Sequence, residues 1–111
     1  MATAKERTRR KMINEMVTRI VERFDPEKII LFGSHARGEA GPDSDVDLPL
    51  VMSFEGSKRE KQIEVRSALH DIRLSKNVII RRAEEFEWRK DIVGTLEYPA
   101  FKEGEVLYAR N

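Results

Sequence analysis

Met12, Ile13, Met16, Val17, Ile20, Val21 and Phe24 recur at the three- and four-residue spacing of a helix. They predict one apolar stripe on a helix over roughly residues 4 to 24. Asp25-Pro26 ends it, because the residue before a proline is driven out of helical backbone. The next apolar run, Ile29-Ile30-Leu31-Phe32, is short and β-branched and stops at Gly33, as a strand buried on both faces would. Ser34 to Arg37 can close one helical turn. Gly38 to Ser44, with Gly38, Gly41, Pro42 and Asp43, reads as a loop. From Asp45 to Met52 the pattern alternates. Val46, Leu48, Leu50 and Met52 share one face of a strand, and Asp45, Asp47, Pro49 and Val51 the other. Ser57-Lys58-Arg59-Glu60 is a capping-box signature opening a helix to about Arg73, with Ile63, Val65, Ala68, Leu69 and Ile72 on its apolar face. Val78 to Ile80 marks a third strand. Ala83 to Lys90 and Thr95 to Lys102 predict two short helices, and Val106 to Tyr108 a terminal strand. The expected fold class is mixed α/β, with helices packed on a small sheet.

The 111 residues fit one compact domain, and 40% hydrophobic content supplies a core. Twenty-one basic and 20 acidic side chains leave a formal charge of +1, which argues against a dedicated duplex-DNA binder. The basic run Lys5, Arg7, Arg9, Arg10, Lys11 reads first as a solvated helix face, and nucleic acid is the least favoured ligand for it. Without cysteine there is no disulfide, thiolate metal site or cysteine nucleophile. No apolar run approaches the ~20 residues of a membrane span. The beginning of the chain lacks the pattern of a secretory signal. A cytoplasmic protein is the expectation.

The candidate chemistry lies between residues 33 and 47. Gly33 after a strand allows a tight turn and close backbone approach. Ser34 then opens a helical turn whose N–H groups can cradle phosphate. Alone, the pair is equally an ordinary turn. Asp45 and Asp47, two apart on a strand, leave the same face and repel unless a cation lies between them. They are either a solvated strand face or hard oxygen ligands for Mg²⁺, which binds through one or two carboxylates plus substrate phosphates.

Together, Leu31-Phe32-Gly33-Ser34-His35-Ala36-Arg37-Gly38 and Ser44-Asp45-Val46-Asp47-Leu48 resemble the signature of the DNA polymerase β-like nucleotidyltransferase superfamily. Within it, the chain is similar to the minimal nucleotidyltransferases, short proteins with a Gly-Ser-x-Ala-Arg-Gly motif. The leading helix, the strand after it and the ending Phe101 to Tyr108 are similar as well, so the resemblance covers nearly the whole chain. It implies a nucleotidyltransferase fold, a small mixed β-sheet flanked by helices, as a single domain over residues 1–111. It further implies that Gly33 and Ser34 bind the β- and γ-phosphates of ATP and that Asp45 and Asp47 hold two Mg²⁺ ions. Arg37 contacts phosphate or, slightly preferred, braces the loop through Asp43. His35 is a possible base by residue type, but a surface histidine is the better reading. Such proteins resemble antitoxins paired with a HEPN-domain ribonuclease toxin, which they silence by adenylylating a tyrosine.

The family usually carries a third carboxylate on the next strand, which here is Lys76-Asn77-Val78-Ile79-Ile80. Asn77 falls at that position. An amide oxygen can ligate a metal but brings no charge and accepts no proton, so the second ion is expected to bind weakly and transfer to be impaired. Asp71 lies upstream on the predicted helix and out of register. Glu84 and Glu85 suit a helix start. Pro49 is a second departure, since proline cannot donate to a ladder and belongs at an edge, a strand start or a bulge. Two functions remain open. One is a nucleotidyltransferase that moves AMP to a protein hydroxyl. The other is a catalytically weakened module that binds a partner, for example through Leu96, Tyr98 and Phe101, which otherwise read as ordinary core.

Overall fold

A computed structural model of the chain describes residues 4–32, 45–89, 92 and 104–110. Helix α1, Ala4–Phe24, leads into strand β1, Lys28–Leu31. Strand β2, Val46–Met52, is followed by helix α2, Lys58–Ala68. Strand β3, Lys76–Arg82, runs directly into helix α3, Ala83–Arg89, and strand β4 is Glu105–Ala109. The predicted helix at 95–102 lies outside the described residues.

The four strands form one sheet in the order β3-β2-β1-β4. β1 pairs antiparallel with β2 and with β4, while β2 and β3 are parallel. The parallel pair needs a crossover, which α2 supplies.

The two faces of the sheet bury different things. On one, Ile13, Met16 and Ile20 of α1 and Val65 of α2 pack on Ile29, Leu31, Val46, Leu48, Leu50, Met52, Val78 and Ile80. This is the stripe and alternation of the sequence. On the other, Ile30 and Val51 pack against Phe86 of α3. β1 is thus buried on both faces, as its unbroken apolar run requires.

The helix ends have local causes. Asp25 takes a left-handed φ of 46°, which Asp tolerates better than most residues, and α1 stops there. Arg110 holds this corner, its Nη1 donating to Asp25 Oδ2 at 2.8 Å. Ser57 caps α2, its hydroxyl accepting from Glu60 N at 3.3 Å. α2 ends at Ala68, short of the expected Arg73. Arg19 of α1 donates to Ala68 O at 2.9 Å and also grips Asp71, so the end of α2 is tied down from the neighbouring helix. Leu69 and Ile72 stay buried in the turns that follow. Their apolar spacing therefore outlasts the helix. Asp71 lies in this turn, not on the helix, and the Arg19 hydrogen bond holds its carboxyl below the ordinary range.

Pro49 sits in an interior strand, not at an edge. Val46 N donates to Ser75 O at 2.9 Å on the β3 side, so by alternation the nitrogen of residue 49 faces β1. The ladder to β1 runs at Lys28/Val51 and Ile29/Leu50 and resumes only at the isolated bridge Phe32/Asp47. Proline leaves the parallel pairing continuous from Val46/Lys76 to Met52/Arg82. Facing β1 confines the missing donor to one side.

Candidate functional site

Asp47 lies near the start of β2, between two neighbours. On one side Phe32, the last residue before Gly33, donates its N–H to Asp47 O at 3.0 Å. On the other, Asn77 of β3 stands directly opposite in the parallel register. The Asn77 Nδ2 donates to Asp47 Oδ1 at 3.0 Å. An ionised carboxylate has no proton to give, so the amide must present its N–H side to it. Asp47 is half-buried, whereas Asp45, one residue before the strand, and Asn77 are exposed.

Residues of the same face continue behind this row. Pro49 stands beside Ile79 and Val51 beside Arg81, where α3 takes over. The aspartates therefore sit at the open end of a face whose far end is closed by Phe86. Lys76, next to Asn77, belongs to the opposite face. Its ammonium donates to Ile72 O at 2.8 Å and Leu74 O at 3.2 Å, and burial lowers its pKa, with Asp71 opposing. These bonds fix the entry into β3 and thereby the height of Asn77 beside Asp47.

Gly33, Ser34, His35, Arg37 and Asp43 lie outside the described residues. So do Leu96, Tyr98 and Phe101. Glu84 and Glu85 occupy the first turn of α3, and Glu85 pairs with Lys58 at 2.9 Å. Among the described residues, no group of three or more His, Cys, Asp or Glu side chains could hold a metal ion. Among them, too, no helix is long and apolar enough to cross a membrane.

Among the described residues, the oxygen donors at this end of the sheet are the carboxylates of Asp45 and Asp47 and the amide oxygen of Asn77. All are hard oxygen ligands of the kind that Mg²⁺ takes. The direct bond between residues 47 and 77 was not legible in the sequence. Placing the two side by side needs the parallel register, which pairs positions thirty apart through the α2 crossover.

The nucleotidyltransferase model of the polymerase β family matches residues 14–111, and the chain belongs to that family. Two solved structures share the fold. One is a candidate nucleotidyltransferase from Sulfolobus solfataricus, with a TM-score of 0.62 and 24% identity over 90% of this chain and 79% of that one. The other is a toxin–antitoxin structure with AMP-PNP, with a TM-score of 0.56 and 16% identity over 88% of this chain and 73% of that one. No curated protein matches by sequence.

Proposed function

We propose that the chain binds a magnesium nucleoside triphosphate, ATP in the first instance, and transfers its nucleoside monophosphate to a hydroxyl of a protein partner. Gly33 and Ser34 would hold the β- and γ-phosphates, with Arg37 touching phosphate or bracing the loop. Asp45 and Asp47 would hold Mg²⁺, which when bound offsets charge on the phosphates and polarises the reacting oxygens. The acceptor oxygen forms a bond to the α-phosphorus, the bond from that phosphorus to the bridging oxygen breaks, and pyrophosphate leaves. The acceptor's proton passes to solvent water or to a phosphate oxygen, because Asn77 cannot take it.

One observation carries this reading. In a chain of this family, Phe32, which follows β1 and precedes Gly33-Ser34, is bridged to Asp47 of the Asp-x-Asp strand. The segment that enters Gly33-Ser34 and the Asp-x-Asp segment therefore run side by side at one end of the sheet, which supports a shared site. The partner we favour is a HEPN-type toxin, with this chain as its antitoxin in the cytoplasm, where ATP and Mg²⁺ are abundant. Its support is the fold shared with the toxin–antitoxin structure that holds AMP-PNP. The test has two parts. ATP is titrated with and without Mg²⁺ into the parent and Asp45→Ala, and radiolabelled transfer from ATP to the partner is followed. Binding should require both the metal and Asp45. Equal affinity in all four conditions removes the reading.

The Asn77–Asp47 hydrogen bond favours a second reading, in which the chain binds nucleotide and partner but transfers slowly. General-base help is worth about 10²- to 10⁴-fold in rate. A parent that neutralises its partner without labelling it, and labels it once Asn77→Asp restores a carboxylate, selects this second reading.

A further inference from the structure

We propose that Asn77 is a positioning residue that holds the Asp47 carboxylate in the metal-free protein and makes the centre take one divalent ion, delivered with the nucleotide. This rests on the nucleotide-binding reading above and deepens it.

The hydrogen bond fixes which way each group faces. Asn77 turns its Nδ2 toward Asp47 Oδ1 at 3.0 Å, so the positive end of the amide dipole points at the carboxylate. The amide does for Asp47 what a cation would otherwise do: it meets the negative charge with a donor. Asp47 can thus keep its place without a bound ion. The same bond works against an ion between residues 47 and 77. Such an ion would meet N–H groups on the Asn77 side. The amide would have to break its bond and rotate to present Oδ1.

On the other side of Asp47, toward Asp45 and the end of β1, no donor among the described residues bonds the carboxylate. There the phosphates of a bound nucleotide supply further oxygen ligands. The two positions therefore differ in kind. The nucleotide's ion has two carboxylates and the phosphates. An ion on the acceptor side has a shared carboxylate and a neutral amide, and no cluster of three acidic or histidine side chains among the described residues supplies a replacement. Perturbing a group that orients a metal ligand typically costs about 10- to 100-fold in metal affinity. A missing charge at the ligand position itself is at least as severe. The second ion is then bound far more weakly than the first.

The experiment counts ions. Mn²⁺ replaces Mg²⁺ as the probe, with α,β-methylene-ATP so that no transfer occurs, and bound Mn²⁺ per chain is read by electron paramagnetic resonance. Parent, Asn77→Asp and Asn77→Ala are compared, each shown to be folded by circular dichroism. We expect one Mn²⁺ per chain in the parent and two in Asn77→Asp. Asn77→Ala should keep one ion but bind the Mn²⁺–nucleotide pair about tenfold more weakly, because Asp47 is no longer held. A merely structural role for Asn77 would move thermal stability and leave the ion count unchanged. Two tightly bound ions in the parent, or one in Asn77→Asp, overturn the single-ion claim. Equal affinity in Asn77→Ala and parent overturns the positioning claim. If no folded variant binds Mn²⁺ and nucleotide at all, the nucleotide-binding reading itself fails and takes the inference with it.

Discussion

Removing the Phe86 side chain separates the two faces of the sheet energetically. Phe86 is 1% exposed and is the large α3 side chain of the small cluster with Ile30 and Val51, against which Ala83 of the same helix also packs. A phenylalanine buries roughly 150–250 Å², and at about 25 cal/mol per Å² that is an upper limit of about 4–6 kcal/mol. Compact unfolded chains already hide part of this area. The cluster is also small, so α3 can partly collapse onto the hole. We expect Phe86→Ala to cost about 3 kcal/mol, at the low end for such truncations. The Lys28 ammonium, 5.5 Å from the ring centroid, adds about 0.5–1 kcal/mol to this. Phe86→Leu keeps most of the apolar volume and should cost about 1 kcal/mol. Urea denaturation of parent and both variants measures these differences. A loss below about 1 kcal/mol in Phe86→Ala would refute the second core. The site provides a control. Val51 is four residues beyond Asp47 on the same strand, about 13 Å at the rise of an extended chain. Folded Phe86→Ala should bind Mg²⁺–ATP as the parent does. Lost binding in a folded variant would show that α3 supports the site directly.

Ser57→Ala removes the cap on Glu60 N and should cost about 0.5–1 kcal/mol in the same denaturation assay, the lower part of the range because the bond is long at 3.3 Å. Acid stability should depend on Glu85 and Glu105. The Lys58 hydrogen bond holds the Glu85 carboxyl below the usual range, and the Arg10 hydrogen bond does the same for Glu105. A folded pKa below the unfolded one, near ~4.3, means that each contribution is present above that value and is lost as pH falls through the lowered folded value. Glu85→Gln should therefore flatten the acid limb of the melting-temperature profile below about pH 4.3. At neutral pH it should cost only about 0.5 kcal/mol, since the pair is partly solvated. An unchanged acid limb would contradict this.

Much of the fold could be read locally. The stripe on α1, the alternation of β2 and the Ser57 cap are short-range patterns that record which side of an element faces the core, and the structure buries those residues. The same patterns misplace the end of α2. Leu69 and Ile72 keep a helical spacing while the chain turns, and Arg19, forty-nine residues before the Ala68 carbonyl it holds, ties down that end. Periodicity within a segment carries no information about such a partner.

Sequence by itself determined that Asp45 and Asp47 stand two apart on an extended segment, that Gly33-Ser34 follows a buried strand, and that an amide occupies position 77. Each is a property of chain order and alternation. Tertiary structure alone decided what those residues meet. The parallel register of β2 and β3 puts Asn77 against Asp47, and the orientation of Pro49 directs its missing donor toward β1 while leaving that register intact. Phe86 closes the far end of the same face. These are contacts between positions far apart in the chain. They are fixed by which strand lies beside which, and that is settled when both faces of the sheet find apolar cover at once.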